Sequence, residues 1–209
     1  MDQAIICLWC NESEIISRVV AKLTYHQCQQ CDYLFLDPCF RINPAAEKAR
    51  YETHKNDVRD PGYQAFVTPL KNQITQNFST DSLGLDYGAG VDSAISFLLT
   101  NENYNVKKYD PFFNADESVL NLNTYDFVIL CEVAEHLFAP ADVFRNISSY
   151  LKPNGVIFVM TSLLTPAIDF STWAYRRDTT HVGFFTAKTF AQKYKAEIKS
   201  GNLIVLRSK

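Results

Sequence analysis

The sequence has no apolar run approaching the ~18 residues that span a bilayer. Its first residues lack the basic segment, apolar stretch and small-residue cleavage site of a secretory leader. No membrane partner is expected, and the expected location is the cytoplasm, where thiols stay reduced. Charge of one sign is also missing. Twenty Lys and Arg against 23 Asp and Glu leave a net charge of −3, so the chain has no global electrostatic footprint for nucleic acid or an anionic surface. Internal repeats and low-complexity tracts are absent. What is present is an ordinary globular composition, 47% hydrophobic over 209 residues, enough for one good core with a small appendage. None of this fixes an oligomeric state.

The cysteines are clustered. Cys7 and Cys10 form one C-x-x-C pair, and Cys28 and Cys31 form a second one 17 residues further on. This spacing matches a tetrahedral four-thiolate zinc site, with each pair on a tight turn and the intervening segment returning the chain. Such a site has no open coordination position, so the expected zinc is structural. Cys39 and Cys131 fall outside the pattern. The strand-like Tyr33–Leu36 then meets Asp37-Pro38, and Pro44 opens a polar helix. After the Asp60-Pro61-Gly62 turn signal, Phe66, Leu70, Ile74 and Phe78 fall at i, i+4, i+8 and i+12, an amphipathic helix.

Leu83 to Val91 reads as a short apolar strand ending at Asp86, a turn with Gly88 and Gly90, and a helix starting near Asp92. Glycines there let the backbone approach a ligand over the strand's carboxyl end, and helix-start N–H groups favour an anionic group. Asp110 closes the next strand-like segment, where a carboxylate can accept both hydroxyls of a ribose. A dinucleotide fingerprint needs a third glycine, and Ser93 stands in its place. Asp86 would also crowd a pyrophosphate, whereas it could meet an ammonium.

The string Leu85-Asp86-Tyr87-Gly88-Ala89-Gly90 resembles motif I of the class I S-adenosylmethionine (SAM) methyltransferases. The resemblance continues through Asp110-Pro111-Phe112, Tyr125 to His136, and Leu151-Lys152-Pro153-Asn154-Gly155. With the cysteine pairs, Tyr51-x-x-His54-x-Asn56 and Thr180-His181-Val182-Gly183-Phe184-Phe185-Thr186, it extends to a bacterial group of SAM-dependent methyltransferases with an N-terminal cysteine-pair segment. The resemblance implies an α/β fold, a doubly wound, mostly parallel seven-stranded sheet, with a third strand near Ser118–Leu122 and a closing hairpin at the carboxyl end. Residues 1–43 would form a zinc-ribbon-like module, 44–80 a helical lead-in, and 81–209 the SAM-binding domain. Asp86, Gly88 and Gly90 would hold the methionine end of SAM, and Asp110 with Pro111 the ribose. Cys131 and Glu132 would floor the adenine pocket, while Tyr51, His54 and Asn56 would cap the methionine end.

The acceptor chemistry is expected where Glu132, Glu135 and His136 follow the central strand as E-x-x-E-H, with His181 as a distal partner. Removing a proton from an oxygen nucleophile is work for His136, His181 and Glu135. Two carboxylates and two imidazoles also suit a catalytic divalent metal. This set looks like that of the ubiquinone-pathway O-methyltransferases and the small-RNA 3′-end 2′-O-methyltransferases. Trp173, Tyr175 and Phe184 are candidates for an aromatic pocket, and Arg176 and Arg177 for an anion on the substrate. The expected function is SAM-dependent O-methylation of a small molecule. The alternatives are metal-assisted RNA 2′-O-methylation, a non-catalytic SAM-binding regulator, or a nicotinamide-dependent oxidoreductase.

Overall fold

The structure is a computed structural model that describes residues 5–53 and 57–209. At the amino end, β1 (Ile15–Val20) and β2 (Leu23–Cys28) form a hairpin closed by Ala21 and Lys22, at φ 51° and 68°. Both turn residues are left-handed, as a tight two-residue hairpin turn requires. β3 (Leu34–Leu36) pairs with β2, and its far edge takes β8 (Gly183–Phe184), a two-residue strand from late in the chain. The four strands make an antiparallel sheet in the order β1-β2-β3-β8.

Two helices lead into the second sheet. Asn43 caps α1 (Pro44–Glu52), accepting from the Ala46 amide, and Asp60 caps α2 (Pro61–Asn77), accepting from Tyr63. Each has proline in its first turn, where the missing N–H costs nothing. The buried face of α2 is Val67, Leu70 and Ile74. Phe66, expected on that face, is 41% exposed, because the stripe turns one residue further round at Val67.

β4 (Leu83–Tyr87), α3 (Ala94–Asn101), β5 (Asn105–Tyr109), β6 (Tyr125–Cys131), α4 (Pro140–Tyr150) and β7 (Leu151–Met160) follow in order, with an α-helix after β4 and after β6 and, among the described residues, none between β5 and β6. After α5 (Ala187–Lys193) the chain closes with a hairpin of β9 (Tyr194–Ser200) and β10 (Leu203–Ser208). Among the described residues this sheet has six strands, β5-β4-β6-β7-β10-β9, parallel through β7 and antiparallel beyond it. The seventh strand expected near Ser118–Leu122 is not formed. Glu117–Val119 is instead a single 3-10 turn capped by Asp116, Leu122 is 66% exposed, and Asn123 is left-handed at φ 50°. A segment with little apolar surface to bury and a residue outside the β region does not extend a sheet.

The two sheets share a core. Trp9, between the first two cysteines, is fully buried edge-on against Phe144, Phe185 and Phe190 at 5.1, 5.6 and 5.8 Å. Removing roughly 200 Å² of ring surface from water contributes about 5 kcal/mol as an upper estimate. Strand order reverses at β4, which has β5 on one side and β6 on the other. That reversal opens the crevice at the carboxyl ends of the strands where ligands bind in open α/β sheets.

Candidate active site

A cavity of about 790 Å³ occupies that crevice. Its cofactor-sized end is the turn after β4. Gly88 and Gly90 take φ 83° and 62°, backbone that favours glycine. Gly88 and Ala89 donate their amides to the Tyr109 carbonyl, and Gly90 donates to Asp110 Oδ2 at 2.9 Å. Asp110 Oδ1 accepts from the Phe112 and Phe113 amides at 2.8 and 3.1 Å, which aims the carboxylate into the cavity floor beside Pro111. Five backbone and side-chain bonds thus fix one acid and one turn relative to each other before any ligand arrives.

Asp86 stands elsewhere than expected. It is buried and does not line the cavity; its Oδ2 accepts the hydroxyls of Ser93 and Ser96 at 2.5 and 2.6 Å. Burial pushes its carboxyl above the ordinary range, against the pull of those two donors. Asp86 therefore braces the turn from below and does not face a ligand ammonium. Ser93, not Asp92, caps α3, accepting from the Ser96 amide.

The other end is built where β6 stops. Cys131, Glu132 and His136 line the cavity, as do Tyr51 from α1 and His181 from the segment before β8. Glu132 is left-handed at φ 53°, a conformation non-glycine residues adopt at a cost and often at functional sites. Burial and the neighbouring Glu135 push its carboxyl up to about 9. Glu135 is fully buried; its Oε2 accepts the Thr161 hydroxyl at 2.9 Å, and the Tyr175 hydroxyl lies 3.0 Å from that of Thr161. Glu132 Oε1 and Glu135 Oε1 are buried with no hydrogen-bond partner.

The two histidines are tied alike. Nδ1 of His136 lies 3.0 Å from the Thr180 carbonyl, and Nδ1 of His181 lies 2.7 Å from the Tyr175 carbonyl. A carbonyl only accepts, so each Nδ1 carries the hydrogen and each neutral ring keeps its lone pair on Nε2. The rings stand 4.8 Å apart, and burial followed by the neighbouring imidazole lowers the His181 pKa. Donor atoms of Glu135, His136 and His181 lie within 4.8 Å of one another, the geometry of a set that can hold a divalent cation. Glu132 lines the same space.

Other expectations resolve differently. His54 and Asn56 lie outside the described residues. Tyr51 donates its hydroxyl to Glu47 and stands edge-on to His136 at 5.3 Å. Arg176 and Arg177 hold no open anion site, because they donate to the carbonyls of Phe170, Ser171 and Thr172 inside their own loop. Trp173 and Phe184 pack with Phe170 in a separate cluster, and of those aromatics only Tyr175 reaches the site. The sequence reading missed Phe113, Tyr63, Thr161 and the Arg50–Asp178 ion pair of 2.7 Å that fastens α1 to the His181 segment. The i, i+4 spacing of Glu47 and Tyr51 was the one local signal for the inner face of α1.

The four paired cysteines converge at a separate place. Cys7 Sγ lies 3.6 Å from Cys31 Sγ and Cys10 Sγ lies 3.5 Å from Cys28 Sγ, with all four within 4.8 Å. Ligands ~2.3 Å from a tetrahedral zinc stand roughly 3.8 Å apart, so the thiols fit that ion. All are free. The hydrogen bond from Cys31 pulls the Cys7 thiol down to about 5 and pushes Cys31 up, while burial pushes Cys10 up to about 11. A second groove of about 590 Å³, between β1 and residues 163–171, holds neither the glycine turn nor the histidines.

A glycine turn at the sheet's reversal point, an acid ending the neighbouring strand and a chemical cluster after the central strand define a nucleoside-cofactor transferase of the doubly wound class. The family model described as a methyltransferase domain matches residues 18–196, and the chain belongs to that family. It is a class I SAM-dependent methyltransferase. Solved structures share the fold. The 1,6-didemethyltoxoflavin-N1-methyltransferase of Burkholderia thailandensis, with its substrate and S-adenosylhomocysteine bound, is 13% identical. It covers 94% of this chain and 99% of its own, with a TM-score of 0.60. An O-methyltransferase family protein from the same organism is 14% identical over 78% of this chain and 62% of its own, with a TM-score of 0.51. The PH0226 protein of Pyrococcus horikoshii OT3 is 17% identical over 77% of this chain and 99% of its own, with a TM-score of 0.50. No curated protein matches the sequence.

Proposed function

We propose that the enzyme methylates an oxygen of a small molecule held at the His136–His181 end of the cavity. The observation that carries this is the shared tethering of the two imidazoles, each with Nδ1–H spent on a carbonyl and Nε2 left as a base. Gly88, Gly90, Asp110, Pro111, Cys131 and Glu132 would hold SAM, which supplies a methyl group on a good leaving group. The chain's own work is then to align the acceptor and take its proton on Nε2 as the oxygen–carbon bond forms. Glu135, buried behind His136 with the two Nε2–Oε1 atoms 3.9 Å apart, would stabilise the imidazolium that results. A relative of this fold that holds a small heterocycle supports a small acceptor. So do the acids lining the cavity, Glu47, Glu52, Asp92 and Asp110, with no Lys or Arg among the described lining residues. A polyphosphate such as RNA would be repelled there.

A second reading rests on the Glu135, His136 and His181 donors: a divalent metal held there would acidify the acceptor hydroxyl. At the cysteine site we propose a structural zinc ion, and for the chain a reducing, cytoplasmic setting that keeps those thiols free. Calorimetric titration with S-adenosylhomocysteine and with NAD, alongside elemental analysis, tests the cofactor and metals. Labelled SAM incubated with small-molecule and RNA fractions of a cell extract tests the acceptor. Micromolar homocysteine-adduct binding and label in the small-molecule fraction are expected. Label confined to RNA, or tight cofactor binding with no transfer into either fraction, would overturn the proposal.

A further inference from the structure

Methyl transfer as proposed leaves the cysteine sheet without a task, yet its hydrogen bonds run straight into the acceptor end of the cavity. β3 is three residues long and starts soon after the knuckle that carries Cys28 and Cys31. That knuckle is closed by bonds from the Cys28 amide to the Tyr33 carbonyl and from the Asp32 amide to the Cys28 carbonyl. On the far edge of β3, Leu34 and Phe35 pair with Phe184 and Gly183. The Leu36 amide then donates to the Val182 carbonyl, and the Val182 amide donates to the Glu135 carbonyl, at 2.9 and 2.8 Å. Val182 is thus a single residue bonded to the cysteine sheet through its carbonyl and to Glu135 through its amide. Its neighbours His181 and Thr180 supply one imidazole and the carbonyl that orients the second.

The contact between the two strands leaves no slack. A Cβ on Gly183 would fall 2.2 Å from Tyr33 Oη, so β8 lies flush against the residue two places after Cys31. Thr189 adds a second tie, donating its hydroxyl to the Cys31 carbonyl at 2.9 Å and fixing α5 to the same knuckle. The glycine turn and Asp110 carry bracing of their own. The bonds of Gly88, Ala89 and Gly90 run to Tyr109 and Asp110, and Asp86 is held by Ser93 and Ser96, all within β4, α3 and β5.

We infer that the ion held by Cys7, Cys10, Cys28 and Cys31 is a positioning device for acceptor chemistry: through β3 and Val182 it sets where Glu135, His136 and His181 stand, while the glycine turn and Asp110 keep their own bonds. This rests on the zinc and methyltransferase readings above. Without the ion, the knuckle before β3 is closed by weak S–H contacts in place of four metal bonds, and β3 keeps its pairing with β2 alone on that side. β3 and β8 then shift together, and the carbonyl partners that fix both imidazole tautomers move with them. A zinc ion needed merely to fold the chain would take cofactor binding down with the imidazoles, and that difference separates the two roles.

The test uses the full-length protein with Cys39→Ser, which removes the exposed thiol outside the cluster. Zinc is removed with a strong chelator, which leaves the Cys131 thiol of the cofactor pocket unmodified, followed by elemental analysis, and restored with zinc chloride. Two quantities are read at each stage: S-adenosylhomocysteine affinity by calorimetry, and the imidazole nitrogen–proton correlations of His136 and His181 by NMR, assigned with His136→Gln and His181→Gln. One zinc per chain is expected. On its release the Nδ1–H pattern of both rings should collapse to exchange-averaged signals while the Kd changes less than about threefold, and zinc should restore the pattern. Cys10→Ser, at the least buried of the four positions, is the second route should the chelator fail to strip the site, and should reproduce the collapse. Imidazole signals that survive zinc loss by both routes overturn the inference. So does cofactor affinity that falls in step with them, or a protein that holds no zinc. Failure of the zinc-loaded protein to bind S-adenosylhomocysteine would instead refute the methyltransferase site, whatever the imidazoles do.

Discussion

Replacing Gly88 by alanine tests the cofactor turn with a single methyl group. The native φ of 83° would cost an alanine about 1–2 kcal/mol. The added Cβ would also lie 2.5 Å from Val133 Cγ2 and 2.9 Å from Val133 Cγ1, closer than real contacts allow. Val133 directly follows left-handed Glu132 and is held in the turn whose His136 amide bonds to the Val133 carbonyl, so it cannot swing away freely. Overpacking of that kind costs roughly 1–3 kcal/mol. Together the two effects amount to about 2–5 kcal/mol, or roughly 5–15 °C of melting temperature for a chain of this size. If the turn relaxes instead, the loss appears as weaker cofactor binding, on the order of 10-fold or more. Differential scanning calorimetry with and without S-adenosylhomocysteine reads both routes. Gly88→Ala combined with Val133→Ala removes the clash and keeps the backbone strain, so it should recover part of the loss and never all of it. A Gly88→Ala protein that melts and binds like the parent would refute the account of this turn.

Asp110→Asn keeps the shape and removes the charge proposed to meet the ribose; S-adenosylhomocysteine affinity should fall roughly 10- to 100-fold by titration calorimetry, as expected for a charged hydrogen bond of about 1.5–3 kcal/mol. His181 has its pKa below the ordinary 6.5, so the unfolded chain binds the extra proton first as pH falls. Its contribution to stability is present above 6.5 and declines below it, and His181→Gln should flatten that limb of melting temperature against pH. Glu132 has the opposite sign: with its carboxyl raised to about 9, the stability it contributes is full below about 4.5 and is lost as pH rises through about 9, a loss Glu132→Gln should abolish. Arg50→Ala breaks a partly exposed ion pair worth under about 1 kcal/mol. Melting should hardly move, whereas stopped-flow dissociation of S-adenosylhomocysteine should quicken because α1 is no longer fastened to Asp178.

The parts of this enzyme that could be read from its sequence are those where one residue type answers a local demand. Glycine at 88 and 90, the acid at 110 and the two C-x-x-C pairs each report a backbone conformation or a ligand chemistry that few residues satisfy. The closing hairpin was legible for the same reason, since Leu203–Leu206 is buried throughout. What could not be read depends on distance in the chain. Nothing in Gly183-Phe184 signals that it completes a sheet begun at Ile15, because a two-residue strand has no periodicity. Asp86 looked like a ligand group from its place before the turn, and only the fold reveals Ser93 and Ser96 beneath it. The missing strand failed for a physical reason, as alternating Leu and Asn at 120–123 offered too little to bury. The pairing of Glu135 with Thr161 joins residues 26 positions apart and had no sequence counterpart.

Glu132 sits in backbone that glycine would occupy at lower energy, beside a second buried acid that disfavours its charge. Natural drift toward heat resistance, or a laboratory library selected for it, would therefore find Glu132→Gly among its early winners. Such a variant would gain stability by discarding a side chain that lines the cavity. For this enzyme, survival at high temperature is a misleading guide to engineering, and the positions that score worst on stability alone are the ones to leave alone.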